Sequence, residues 1–431
     1  MSYATVLITH VVNDAVIEGF IPALLKFRHA PDSQLIIITD DKDAHMDALI
    51  AMPLGAQISI LECDVFNPLA IIDTLNNHHI LPNLVFSNSD HLQAATAIVA
   101  DFFHLPSKDW RHCLVFKDKY LMRTQLQSAH LYQAGYQLLN AKDLYLDTCA
   151  IDNLTINNPA ISFPLVAKPK QGVASMDVQL CMDKDELLSY CQDFWQSKTL
   201  PILVESYVAG RLMTLETLSD GERLVAVGGF EVTLTEPPHF VELDAVWNTP
   251  LCVQYRERCL AILQDIGVGL GVCHSEFIIT PTGAIHLVEI NYRSIGDGRE
   301  FLLDDMAHYP WFDTIIRLHQ GVSIAELETE YGALAISTHA RIHYIVAPQS
   351  GTICTAPSPF NKQMQQTTLI HQPLKQQHQT IHLTHSNKDY LSRLLAYSDC
   401  DCDCDCDCDC ENTINDVLND AIASLQWQFD A

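Results

Sequence analysis

Basic residues are scarce in this 431-residue chain: 25 Lys and Arg stand against 53 Asp and Glu, a formal net charge of −28. Nucleic acids and anionic membranes are polyanions, so a field of this sign disfavours both as partners. No stretch approaches the roughly 20 consecutive apolar residues of a membrane-spanning helix. The opening MSYATVLITHVV lacks the basic start and long apolar core of a secretory signal, which makes a cytoplasmic protein the expectation. Paired cysteine spacings are missing too. Of 15 cysteines, six fall in one Asp-Cys alternation at 399–410 and nine are scattered singly, the pattern of reduced, mostly buried thiols. Two phosphate signatures are absent. G-x-G-x-x-G does not follow the first apolar run, which argues against a dinucleotide there, and there is no G-x-x-x-x-G-K-[S/T] loop.

What is present is 48% hydrophobic residues, enough for sizeable cores, and a length that calls for two or three packed units. Over the first hundred residues, four apolar runs (ATVLITHVV, QLIIITD, AQISILEC, NLVFSNSD) alternate with amphipathic stretches at 14–27 and 64–75. Strands alternating with helices imply a parallel sheet with crossover helices, an α/β unit. Residues 92–130 read as helical, and 151–162 as a polar connector. FPLVAKPK then reads as a strand, ELLSYCQDFWQS as a helix and PILVESYV as a strand. RLMTLETLSDGERLVAVGGFEVT reads as a hairpin turning at Asp220-Gly221. A helix is expected over 249–270. CHSEFIITPTGAIHLVEINYR is a second hairpin, with Pro281 to Gly283 at its turn. Further on, HARIHYIVAPQSGTICTA suggests two strands, HQPLKQQHQTIHLTH is polar and His-rich, and INDVLNDAIASLQWQF reads as a terminal helix.

The second hairpin carries the densest chemistry. Glu289 and Asn291 are two apart, so both face one side of their strand, and pairing can bring Glu276 of the other arm beside them. Two carboxylates and an amide oxygen make a hard-oxygen site suited to Mg²⁺. Arg293, two further on, could clamp a phosphate or acyl phosphate. A solvated hairpin with ordinary surface charges is the competing view, but the flanks FII and HLV are apolar, and buried charges need partners. Lys168 ends an apolar strand before a small-residue loop holding Gly172 and Ser175. A lysine there could reach nucleotide phosphates, or simply cap the strand. ILVESYVAG puts Glu205 where a strand becomes a linker. His274 would share the Glu276 face, where it could touch a phosphate or be a buried, hydrogen-bonded histidine.

Taken in order, the lysine and small loop, ESYVAG, SEF and EINYR resemble the ATP-grasp superfamily over roughly residues 4–356. LVFKDKYLMRTQL is similar to the family's N-terminal nucleotide lysine segment and selects Lys119. HARIHYIVAPQSGTI resembles the closing β segment of the branch with biotin carboxylase and carnosine synthase. The resemblance implies a preATP-grasp doubly wound parallel sheet at 1–105, α+β ATP-grasp subdomains at 106–345 and a C-terminal β/α segment at 346–431 carrying the Asp-Cys tract. It implies that Lys119 and Lys168 contact ATP, that Gly172 and Ser175 lie in the loop closing over the phosphates, and that Glu205, Tyr207 and Val208 form the adenine and ribose hinge. Glu276, Glu289 and Asn291 would hold Mg²⁺ (or Mn²⁺), and Arg293 would stabilise an acyl phosphate. The loop departs from the family in having one glycine, and NYRSIGDG replaces the commoner N-P-R-x-G-G.

The activity so implied is amide formation between a small carboxylic acid and an amine, with release of ADP and phosphate, in the making of a peptide-like or siderophore-like metabolite. Arg341, Asp297 and Arg299 are further candidates for the substrate site. A homodimer is an expected assembly, because dimers are common in the superfamily. Phosphate transfer to an alcohol and biotin-type carboxylation are alternatives on the same fold, although no biotinyl A-M-K-M segment is present. The Asp-Cys tract is either a soft-metal binder or a low-complexity repeat. His78-His79 and the histidines at 371–385 lack a firm metal spacing.

Overall fold

Alternating side chains along the first strands decide how the N-terminal unit packs. In Ser2–Ile8, Ala4, Val6 and Ile8 enter one core and Leu7 another; in Gln34–Thr39, Ile36 and Ile38 go with the first set, Leu35 and Ile37 with the second. A sheet apolar on both faces must be covered on both, as parallel sheets are. The computed structural model, which describes residues 2–27, 33–50, 58–131, 134–141, 160–364, 366–398 and 410–430, shows this arrangement. Four parallel strands lie in the order Ile58–Glu62, Gln34–Thr39, Ser2–Ile8, Ile80–Phe86. One face carries Ile71, Leu75 and Val99 of two helices, Pro68–Asn77 and Gln93–Phe102. The other carries Phe20 and Ile21 and runs into the helix Trp311–His319.

The helical reading of 92–130 resolves into three helices, Gln93–Phe102, Trp110–Lys117 and Lys119–Ser128. The breaks have local causes. Asp109 caps the second by accepting from the Arg111 N–H, and Asp118 caps the third by accepting from Tyr120 and Leu121. A second, antiparallel sheet follows, in the order Tyr136–Leu139, Ile202–Ser206, Leu165–Pro169, Gln179–Cys181. The helix Lys184–Ser197 packs against it, its start capped by Asp183.

A ten-stranded antiparallel sheet makes up most of the rest. Its order is Ile285–Asn291, Gly271–Ile279, Arg211–Ser219, Phe230–Leu234, Glu242–Trp247, Ala340–Val346, Tyr390–Ser398, Thr367–Pro373, Phe360–Met364, with Leu224–Gly228 also on Arg211–Ser219. Both expected hairpins are present, and the second turns through Gly283 at φ 79°.

Both strands of HARIHYIVAPQSGTICTA are present: Ala340–Val346 lies in the large sheet, and Gly351–Thr355 pairs with Thr380–Ile381 and Gln428–Phe429. Two readings need correction. The terminal helix is Cys410–Ser424, and the QWQF end leaves it to form that last strand. The stretch from 367 to 398, read only as polar and His-rich in its middle, contains two full strands. Most of the connector at 151–162 and the Asp-Cys tract up to 409 lie outside the described residues. Among those described, no helix is long and apolar enough to cross a membrane.

The seam between the N-terminal sheet and Trp311–His319 is close. A Cβ on Gly19 would stand 2.4 Å from the Phe312 ring, which is itself edge-on to Phe20 at 5.0 Å between centroids. Gly19→Ala should therefore cost about 1–3 kcal/mol through overpacking. Urea unfolding measures it, and an unchanged midpoint would mean that the seam yields.

Candidate active site

Two antiparallel sheets face each other across a cleft of about 940 Å³, and the loops around it come from every unit of the chain. One wall brings Lys168 from the strand Leu165–Pro169 and Glu205 from Ile202–Ser206. The other brings Glu276, Glu289 and Asn291 from the late hairpin. Lys119, Lys168, Gly172, Ser175, Glu205, Tyr207, Val208, Glu276, Glu289, Asn291 and Arg293 all line this one cleft.

Register sets the centre. Glu276 is paired directly with Glu289, and His274 with Asn291, just before a bulge that follows Glu276. Opposed carboxylates on neighbouring strands repel and need a cation. Lys119 Nζ donates to Glu289 Oε1 at 2.8 Å and to the Gly172 carbonyl at 2.9 Å. On the other side His274 Nδ1 lies 2.7 Å from Glu216 Oε1, and Nε2 lies 3.6 Å from Glu276 Oε1. Burial alone would lower the His274 imidazole, but these two carboxylates outweigh it and raise it to about 9. Burial opposes ionisation of Glu276 as well, yet His274, Arg299 and Lys119 hold its carboxyl below the usual range.

A second ionic group sits deeper. Glu205 accepts from Arg123 Nε at 2.8 Å and is paired with Lys168; Arg123 Nη2 also donates to the Val288 carbonyl at 2.8 Å. Burial would raise the Glu205 carboxyl, but Arg123 and Lys168 hold it far below the usual range. Lys168 is lowered by burial, with Arg123 and Lys119 adding to the effect against Glu205. Sequence reasoning missed Arg123. The signal was there: it is four residues after Lys119 on one helix, hence on the same face.

The far end of the cleft is lined by Arg293, Asp297, Arg299 and Glu242, with His10, Asp90 and His91 from the N-terminal unit. Arg299 Nη2 is 2.7 Å from Glu242 Oε2, and burial raises the Glu242 carboxyl despite that partner. His10 and His91, which sequence reasoning also passed over, sit just beyond the carboxyl ends of parallel strands, where α/β sheets place ligands. Burial leads the effects that lower His91, to about 4. Arg341 is a correction. It does not line the cleft but forms a bidentate pair with Asp244 and donates to Asn415 and Asn419 of the terminal helix.

Among the described residues, no group of three His, Cys, Asp or Glu side chains is placed to hold a metal ion. The hairpin set differs in kind: two carboxylates and one amide oxygen, hard donors that fit Mg²⁺ when phosphate oxygens complete the shell.

No protein-family model matches the chain. Over 150 residues it is 31% identical to an uncharacterized protein of Sinorhizobium fredii, a match spanning 32% of this chain and 30% of that protein. Over 139 residues it is 24% identical to the carbamoyl phosphate synthase arginine-specific large chain of Halalkalibacterium halodurans, spanning 31% of this chain and 13% of that one. The chain thus spans less than a third of the length of either of these curated relatives. Among solved structures, an L-amino acid ligase from Bacillus licheniformis superposes with a TM-score of 0.73 at 14% identity, covering 100% of both chains. A biotin carboxylase from Campylobacter jejuni superposes with a TM-score of 0.64 at 14% identity, covering 99% of this chain and 92% of that one. Identities this low speak to architecture and not to substrate. The chain thus has the fold of these two enzymes, the architecture that its resemblance to the ATP-grasp superfamily implies.

Proposed function

We propose that the chain is an ATP-dependent carboxylate–amine ligase. The observation that carries the reading is the directly opposed Glu276–Glu289 pair with Asn291 beside it, in a cleft that also gathers Lys119, Lys168 and Arg293. In this reading a substrate carboxylate oxygen attacks the γ-phosphorus of ATP, and ADP leaves. The amine nitrogen then attacks the acyl carbon, phosphate leaves, and the nitrogen loses a proton.

The chain's own part is to bind, orient and exclude water. Val166, Met176, Phe240 and Ile278 give an apolar lining for a planar base, with the Tyr207–Val208 linker at its edge. Lys119 and Lys168 offset charge on phosphate oxygens, and Arg293 holds the acyl phosphate. Glu276, Glu289 and Asn291 would hold Mg²⁺, which neutralises phosphate charge when bound.

ADP release screened over carboxylic acids crossed with amines tests this, with mass spectrometry of the product. ADP formed only when both partners are present, together with the amide, is the expected result. Transfer of phosphate to an alcohol, or turnover of bicarbonate in place of an amine, would sink it. Glu289→Gln should lower the rate by roughly 100-fold or more, since it removes charge from the site that organises the phosphates. The half-saturating Mg²⁺ concentration should rise with it; a wild-type Mg²⁺ titration would remove Glu289 from the site.

Glu205→Gln makes a separate prediction. The variant leaves Arg123 and Lys168 buried without their anion, which costs about 3 kcal/mol at neutral pH. Because the folded-state carboxyl is depressed, the wild-type contribution is complete above the ordinary value of 4.5 and is lost as pH falls below it. Stability curves of wild type and variant should therefore converge with acid. Parallel curves between pH 7 and about 3 would contradict the assignment.

A further inference from the structure

The loop at 171–177 lines the cleft opposite the carboxylate pair, through Gly172, Val173, Ala174, Ser175 and Met176. It is not a relaxed turn. Ala174, Ser175 and Asp177 have φ of 55°, 54° and 57°, in the left-handed region that side chains other than glycine rarely adopt. Strained residues of this kind persist only when their surroundings hold them. Tyr190 holds one end, its hydroxyl donating to the Asp177 carbonyl at 2.6 Å. The other hold is distant in sequence: the Asn387 N–H donates to the Ala174 carbonyl at 3.1 Å.

Asn387 does more than touch the loop. Its Oδ1 accepts from the Glu242 N–H at 3.3 Å, and its Nδ2 donates to Asp297 Oδ2 at 3.3 Å. The residue is 7% exposed and borders the same cleft. It is also rigidly mounted. It opens a short helical turn, Asn387–Asp389, closed by a Ser386–Asp389 capping box just before the strand Tyr390–Ser398. Beside it the His385 ring stacks on His239, with centroids 4.2 Å apart.

We propose that Asn387 is a positioning residue that latches the 171–177 loop shut over the cleft and ties that closure to Asp297 at the substrate end. What the loop covers rests on the ligase reading; the latch itself rests on the contacts above. Loop closure in this chain then depends on a backbone donor from the C-terminal segment, in place of the glycines the loop lacks. Loss of the latch admits water to the cleft and uncouples ADP release from amide formation.

The local backbone allows a clean test. Asn387 is the first residue of its turn, a position where proline is tolerated, and Ser386 before it is extended at φ −141°, ψ 175°, as a residue preceding proline should be. Asn387→Pro removes the N–H and the side chain; Asn387→Ala removes only the side chain. With Asn387→Pro, tryptic cleavage after Lys170 should speed up, the KM for ATP should rise roughly fivefold for the lost hydrogen bond, and more ADP should form per amide. With Asn387→Ala, cleavage and the ATP KM should stay near wild type, and the KM for the acid or amine should rise. Wild-type cleavage and ATP KM in Asn387→Pro would overturn the latch. So would equal effects of both variants that merely track a fall in Tm. Faster cleavage in a protein whose wild type releases no ADP with any acid–amine pair would leave the latch standing and remove the ligase reading.

Discussion

Two carboxylates held opposite each other on adjacent strands are a standing electrostatic problem, and the middle of this molecule is arranged around it. The Glu276–Glu289 pair is fixed by backbone register and cannot relax by rotating a loop. Lys119 answers it from a helix of the preceding unit, and His274 answers it from within the same strand. Behind His274 stands a further carboxylate, the buried Glu216, so the imidazole lies between two anions. Remove the cations and the hairpin would carry uncompensated negative charge against an apolar core. Negative density at this spot is thus built in, and it suits a divalent cation far better than an anion.

The same hairpin is bolted to the N-terminal unit. Lys108 donates to Gln93 Oε1 at 2.7 Å and to the Tyr292 carbonyl at 2.6 Å, and lies over the Tyr292 ring. The Ser294 N–H donates to Asn88 Oδ1, while the Trp311 indole donates to Ser294 Oγ. These bonds hold the residues just after Asn291 between the parallel sheet and the helix Trp311–His319. The position of His10 and His91 relative to Arg293 is consequently a property of packing. The parallel sheet, buried on both faces, leaves little freedom for that geometry to drift.

Local signals were the legible ones. Short apolar runs alternating with helical stretches marked the parallel strands, and the Pro281–Gly283 turn fixed the hairpin and with it the facing of Glu289 and Asn291. Arg123 was visible in principle from helical spacing. Asn387 was not: its partners lie at positions 174, 242 and 297, and no spacing rule links residues so far apart. Arg341 looked like a substrate arginine because a strand arginine near a site motif is ambiguous until its partner is known, and Asp244 belongs to a strand with no clear signal of its own. The strands after Thr355 were obscured because their pairing is long-range: Tyr390–Ser398 is buried, yet its polar neighbours at 371–385 dilute the pattern.

Lys119 spans two groups at once, the Gly172 carbonyl and the Glu289 carboxylate. An anion arriving there does not meet a bare ammonium; it must take over a place already filled from inside the protein. Association at this lysine is an exchange of partners, and its net strength is the difference between two ion pairs of similar kind. Tight occupancy would then have to come from contacts elsewhere along the guest, and a short anion alone would hold weakly.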